Sequence, residues 1–281
     1  MFKISGSIFT VFSVLFVFID WSDLKINKIS HRISILSLVV FGSFILSLVW
    51  VLYICKVKNI WTKGKNKVTA IYGDIYKIGF DKRNKNSKIV VIPVNDTFET
   101  IVENSSETIT KPLVSEHTNH GKWIKLFCKY NKITPEELNE RIQNNLLMQG
   151  NSPIKVYTKE EKQRGNLNSY ELGTVAIIDG INRVKFYLLA ISKFDGLNNA
   201  QSTKKEVRNA TESLIDYYDK NGQADPMFIP LMGTGKSRAN MTHIQSFNVI
   251  KSCILTSEKS ITGEINIVVY SKDKERVSIF K

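Results

Sequence analysis

The densest candidate for chemistry is Met232-Gly233-Thr234-Gly235-Lys236-Ser237, which follows an apolar run and stands shortly before a helix start at Thr242. Glycines in such a place let the backbone turn tightly and aim several N–H groups at one point, and a following helix N-terminus adds a favourable dipole. A phosphate or diphosphate is the natural guest. Gly235-Lys236-Ser237 also matches the tail of a P-loop, but that motif needs Gly where this chain has Pro230, and the strand left downstream, Glu264–Tyr270, does not end in a metal-binding acid. A nucleotide triphosphatase is disfavoured, and a merely tight strand-to-helix turn is the plain alternative.

Two further residues sit where an open α/β sheet would present them. Asp74, in Ile71-Tyr72-Gly73-Asp74-Ile75, closes a strand and can accept a hydrogen bond from an adenine amino group, although a turn Asp is the default explanation. Asn95 ends the apolar run Val90-Val91-Ile92-Pro93-Val94-Asn95, which places an amide at a strand's carboxyl end, where such sheets bind ligands. His117, His120 and Cys128 could be drawn as a zinc set, but two His and one Cys without a fourth ligand read better as loop and core residues, so no metal is expected. No Ser/His/Asp constellation is legible either.

These residues need strands and helices to position them. Short apolar runs alternate with helical stretches, the pattern of an α/β domain. The runs predict strands over Val68–Tyr72, Lys88–Val94, Gly173–Asp179, Val184–Ile191, Met227–Leu231 and Glu264–Tyr270. Helices announce themselves by Ser/Thr followed three residues later by Glu or Gln: Thr134 with Glu137 and Pro135, Thr203 with Glu206, and Thr242 with Gln245. Val207, Ala210, Leu214 and Tyr217 would share one helix face, and Phe247, Ile250 and Ile254 another. Lys82–Ser87 and Lys159–Ser169 read as polar loops, and the scattered Lys and Arg after residue 67 as mostly solvated surface.

Charge separates the chain into two parts. The first 67 residues hold nine Lys/Arg against two Asp/Glu, whereas the rest holds 30 against 24, with none of the concentrated basic footprint of a nucleic-acid binder. Three widely spaced cysteines exclude a secreted disulfide scaffold and fit a reducing compartment. Ile33–Cys55 is a run of 23 residues without a charge, and about 20 suffice to cross a bilayer. Ile4–Ile19 is a shorter uncharged run, which at 1.5 Å per residue spans about 24 Å and needs Met1, Phe2 and Lys3 to reach across. It lacks a small-x-small cleavage site, so a retained hairpin with spans near 2–19 and 33–55 is preferred to a signal peptide. The basic flanks place both termini in the cytoplasm, with 59–67 as a basic juxtamembrane linker and 68–281 as one cytosolic domain at the inner membrane. Gly6 with Thr10, and Ser43 with Ser47, put small residues on helix faces where helices can approach in lipid, and no Asp, Glu, Lys or Arg inside either span marks an ion path.

Taken in order, Gly-Asp-Ile after a first strand, an apolar strand ending in Asn, and a late strand running into Pro-x-x-Gly-Thr-Gly resemble the macro domain. The segments Val91–Phe98, His120–Trp123, Leu172–Ala176 and Ile229–Ser237, beside an N-terminal hairpin, look like the divergent macro domains that follow two membrane helices in Thoeris antiphage effectors. The resemblance implies a mixed sheet flanked by helices. It assigns Asp74 and Ile75 to adenine, Asn95 to the distal ribose, His120, Gly121 and Lys122 to a loop on the diphosphate side, and Gly233, Thr234, Gly235, Lys236 and Ser237 to the diphosphate. It further implies an effector without a cofactor that senses an ADP-ribose-type messenger, made from NAD by a TIR-domain partner, then forms a homo-oligomer and damages the bilayer. His120-Gly121-Lys122 replaces the glycine-rich stretch of hydrolytic members, so hydrolase activity is not expected; the alternative is a membrane-tethered enzyme hydrolysing ADP-ribose conjugates or a nucleotide.

Overall fold

The computed structural model describes Thr10 and residues 28–54, 56–103, 112–194, 200–222, 224–235, 239–257 and 262–280. The chain divides into two compact units, Met1–Lys58 and Asn59–Lys281. In the first, helix α1 spans Ile29–Ile54, starting four residues before the expected span and taking in His31 and Arg32. Over Ile29–Val49 it is long and apolar enough to cross a membrane, and it is the one such helix among the described residues. Apart from Thr10, the expected span near 2–19, and with it Gly6, lies outside the described residues. Ser43 and Ser47 are the buried positions of α1, and their hydroxyls donate back to the carbonyls of Val40 and Phe44 at 2.8 and 2.9 Å.

The second unit is built on one eight-stranded sheet. Its strands are β1 (Val57–Lys63), β2 (Asn66–Gly73), β3 (Lys88–Asn95), β4 (Val175–Asp179), β5 (Val184–Phe194), β6 (Ala200–Gln201), β7 (Met227–Pro230) and β8 (Glu264–Tyr270). The order is β1-β2-β8-β7-β3-β5-β6, with β4 also on β5. From β2 through β5 all neighbours run parallel, while β4 and β6 pair β5 antiparallel. The stretch 59–67, expected as a linker, is instead largely the edge strand β1 and the turn into β2. Its exposed Lys58 and Lys63 suit an edge, where charge discourages further pairing.

Alternation along the strands feeds two cores. Ile89 and Val91 face one side, against α5 (Lys204–Asn221) and α6 (His243–Thr256), where Val207, Ala210, Leu214, Phe247, Ile250 and Ile254 are buried as their spacing requires. Val90, Ile92 and Val94 face the other, against α3 (Asn119–Asn131) and α4 (Pro135–Met148). There Phe186 meets Trp123 and Phe127 edge-on at 5.6 and 5.8 Å. A short helix, α2 (Ile75–Gly79), follows β2. The capping boxes at Thr134, Thr203 and Thr242 are all formed. Helix α3 corrects the expectation of a loop at His120–Trp123: Thr118 caps it by accepting from the Gly121 N–H at 3.0 Å, and Trp123, Ile124 and Phe127 supply its buried face.

The loop leaving β3 is held by a buried charge cluster. Lys162 and Glu99, with side chains 3 % and 1 % exposed, lie 3.6 Å apart. Lys162 donates to Thr97 Oγ1 at 3.1 Å and to the Asn166 carbonyl at 2.5 Å, Glu99 accepts from the Asn166 N–H at 2.8 Å, and Asp96 accepts from Ser169 Oγ at 2.6 Å. Burial pushes the Lys162 ammonium pKa down and the Asp96 carboxyl pKa up. Lys162 is thus no surface lysine.

Gly165, at φ +76°, faces this cluster so closely that a Cβ there would run into the Glu99 carboxylate, whereas Gly150, at φ +73°, has nothing within 4 Å. Both pay for a left-handed backbone on substitution, about 1–2 kcal/mol. Gly165→Ala adds overpacking of about 1–3 kcal/mol. Thermal unfolding of the full chain in detergent should therefore show a clearly lower Tm for Gly165→Ala than for Gly150→Ala, and equal values would mean that Glu99 is free to move.

Candidate functional site

The carboxyl ends of β2, β3, β7 and β8 meet at one edge of the sheet and line a cleft of ≈ 890 Å³. From β2 come Gly73, Asp74 and Ile75, from β3 Asn95, from the turn after β7 Leu231 to Gly235, and from β8 Val268 and Tyr270; Asn119, His120 and Lys122 enter from the first turn of α3. The site residues expected from sequence therefore converge, with three exceptions. Gly121 does not line the cleft: a Cβ on it would strike the Ser115 carbonyl, so its smallness lets α3 pack against residue 115. Lys236 and Ser237 lie outside the described residues.

Local chemistry explains how each group is held. Asp74 caps α2, its Oδ1 accepting from the Tyr76 N–H at 2.9 Å. Tyr76 in turn donates to Asn119 Oδ1 at 2.9 Å, tying α2 to α3, and burial pushes its phenol pKa up. Asn95 is 6 % exposed, and its Oδ1 accepts from the Glu99 N–H at 3.0 Å and Thr97 Oγ1 at 3.4 Å. A register shift between Val94, opposite Ala190, and Asn95, opposite Ser192, leaves Ile191 as the extra residue and re-aims the strand end at the cleft.

In the turn after β7, Gly233 adopts φ +76° with Val207, Met241 and Ala239 side chains 3.1–3.2 Å from a would-be Cβ, so glycine is required; around Gly235 no described residue lies within 4 Å of one. Ser246 of α6 staples the turn, accepting from the Met232 N–H at 2.9 Å and donating to its carbonyl at 2.6 Å. Helix α6 starts only at His243, well past the last glycine, unlike the direct strand-loop-helix passage of a P-loop.

Sequence reasoning missed one wall. Tyr270, Asp273, Arg276 and His243 also line the cleft, with Asp273 between Arg276 at 3.3 Å and His243 at 3.7 Å. The available signal was the strand end at Tyr270 and the first helical position at His243. Among the described residues no three His, Cys, Asp or Glu are grouped to hold a metal.

Residues 68–270 match the family described as Thoeris protein ThsA, Macro domain. The chain belongs to that family. Its macro domain is the second unit's mixed sheet between helices. A curated relative, Thoeris protein ThsA of Bacillus amyloliquefaciens (strain Y2), is 24 % identical over 280 residues, covering 98 % of this chain and 85 % of that protein. The chain also aligns with the Oceanobacillus iheyensis macrodomain with MES bound (12 % identity, 80 % of this chain and 93 % of that chain, TM-score 0.49) and with ADP (12 %, 80 % and 92 %, TM-score 0.48).

Within this ThsA-family macro domain the least ordinary group is His120. It is 6 % exposed, and its buried Nε2 has no hydrogen-bond partner among the described residues. Burial lowers its pKa from 6.5 to about 3, so the imidazole is neutral at physiological pH. Between those two values the unfolded chain binds a proton that the folded chain refuses. The stability due to His120 is therefore intact above pH 6.5 and is lost as pH falls toward 3, with a slope of up to about 1.4 kcal/mol per pH unit. His120→Gln should flatten unfolding free energy against pH between 6.5 and 4 and leave its pH slope unchanged above 7. Parallel curves for the two proteins would show that the imidazole is solvated.

Proposed function

We propose that the chain is a membrane-anchored Thoeris effector whose macro domain senses an ADP-ribose-derived nucleotide. Membership of the ThsA family makes it a component of antiphage defence. The observation that carries the ligand is the convergence of Asp74, Asn95 and the Gly233–Gly235 turn on one cleft, whose volume lies in the range of small-molecule sites. A diphosphate laid on the turn would meet backbone N–H groups, with Lys122 and Arg276 as cations on the lining. Adenine beside Asp74 and a sugar beside Asn95 complete an elongated guest. The messenger would be made from NAD by a TIR-domain partner, bound without turnover and without a cofactor.

For anchoring, the support is α1. Leu38, Phe41, Leu46 and Val49 are 57–73 % exposed around a helix in which, among the positions with described burial, two serines are the buried ones. A helix apolar all round belongs in lipid or inside a bundle rather than in water. We take it as the second span of a multi-pass hairpin with both termini in the cytoplasm. Ligand-driven homo-oligomerisation would concentrate the spans, disrupt the bilayer and halt growth.

Calorimetry on the detergent-solubilised chain with ADP-ribose, its conjugates, NAD and ATP tests the reading. Asp74→Ala and Gly235→Glu should each weaken the tightest adenine-diphosphate ligand at least about tenfold, or about 1.4 kcal/mol. The second meets no described residue at its Cβ and sets a carboxylate against phosphate. The ligand should be recovered unchanged after long incubation, and saturating ligand should release dye from vesicles carrying the protein. Unaltered affinity in both variants would put the site elsewhere, and turnover would make the chain the tethered enzyme.

A further inference from the structure

Lys162 does not line the cleft, yet hydrogen bonds through Thr97 link it to Asn95, which does. An ammonium can only donate, and it donates to Thr97 Oγ1 at 3.1 Å. That occupies a lone pair of Thr97 and leaves the Thr97 proton to find an acceptor. The acceptor in reach is Asn95 Oδ1 at 3.4 Å, which also receives the Glu99 N–H at 3.0 Å. Flipping the Asn95 carboxamide would set its NH2 against two donors in a site where Thr97, Glu99 and Lys162 are 0 %, 1 % and 5 % exposed. An unmade bond in such a place costs far more than one in water.

We infer that Lys162 is a positioning residue: through Thr97 it locks the Asn95 carboxamide with its oxygen turned into the 95–99 loop, so that Asn95 meets a ligand as a donor and selects an acceptor oxygen. The inference rests on the reading above that a sugar lies beside Asn95, and it adds which atoms do the selecting. A hydroxyl or ring oxygen satisfies Nδ2; an ammonium at the same point has nothing to offer it. The Lys162–Glu99 pair has a further consequence here. Glu99 holds Lys162 in place at 3.6 Å, and the Phe194 ring, whose residue lines the cleft, lies 5.2 Å from Nζ. The lysine is thus boxed in and cannot swing away from Thr97.

The test compares ADP-ribose with ADP, which lacks the distal ribose, on the full chain by calorimetry. Wild type should bind ADP-ribose more tightly than ADP. Thr97→Val, which keeps the shape and removes the hydroxyl, should cut that advantage about 3- to 10-fold while leaving ADP affinity as it was. Thr97→Ser, which restores the hydroxyl, should retain it; a merely structural role would move both ligands together. Lys162→Met should lose the advantage too, and the double variant no more than either alone, as expected of residues in one relay. Should Lys162→Met fail to fold, the Thr97 pair still decides. If Thr97→Val keeps the full advantage, or wild type shows none, the relay is wrong while the site stands. If wild type binds neither nucleotide, the ligand assignment and the relay fall together.

Discussion

Everything at the site depends on the parallel pairing of the five strands from β2 to β5. Parallel neighbours send their carboxyl ends the same way, and backbone leaving a sheet edge must find new partners or expose its polar groups. Strand length then shapes that edge. Phe228 of β7 pairs Val90 of β3, so β7, ending at Pro230, stops in step with Ile92 while β3 continues to Asn95. Three residues amount to about 10 Å. On its other side Pro230 pairs Val268, and β8 runs on to Tyr270. The central strand is thus a notch between two longer ones, with the glycine turn at its floor. Pro230 has no N–H to extend the ladder, which helps to fix where the notch begins.

A notch needs rigid walls, and the wall carrying Asn95 is made rigid by charge rather than by apolar packing. Burying Lys162, Glu99 and Asp96 together is expensive, and such a cluster contributes little net stability even when fully paired. Its effect is specificity of conformation. The lysine fixes Thr97, the glutamate fixes residues 100 and 166, and the aspartate fixes residues 169 and 194. An apolar core would fill the same space while leaving the loop several ways to lie. Gly165 is the local price, since no other residue lets its loop come so near Glu99.

How far the sequence revealed this follows from which forces are local. Strands read well because β3 and β8 are buried on both faces and so are written as continuous apolar runs. Three helices read well because their capping boxes are contiguous text. Helix α3 did not, because Thr118 is followed at the third position by Gly121 rather than Glu or Gln, and Asn119-His120-Gly121-Lys122 looks like a turn. β1 was hidden by its lysines, since an edge strand with solvent on its open side carries no apolar pattern. At the site, residues that end a strand were legible, as position in a strand already implies the edge. Tyr270, Asp273, Arg276 and His243 were not recognisable as one wall, because 27 residues separate Tyr270 from His243 and only the fold joins them. Lys162 was the hardest: a lysine in a polar stretch looks solvated until its carboxylate partner, 63 positions away in sequence, is seen beside it.

The first turn of α3 brings one more polar side chain to the cleft, His120. Among the described residues neither His120 Nε2 nor Trp123 Nε1, both buried and three residues apart on the same helix, has a hydrogen-bond partner. Each such atom costs on the order of 1–3 kcal/mol, and few are tolerated in a folded protein. Trp123 repays its share through packing against Phe127 and Phe186. For His120, burial also removes the option of relief by protonation near neutrality. It lines the cleft in the first turn of α3, where the helix dipole favours an anion or an oxygen-rich guest. Under the reading proposed above, a ligand oxygen within reach of Nε2 would give His120 a hydrogen bond that no described residue gives it. Such a bond, made only with ligand in place, would add to affinity. Such a difference between the two states is what a sensor must have if binding is to shift anything else in the molecule.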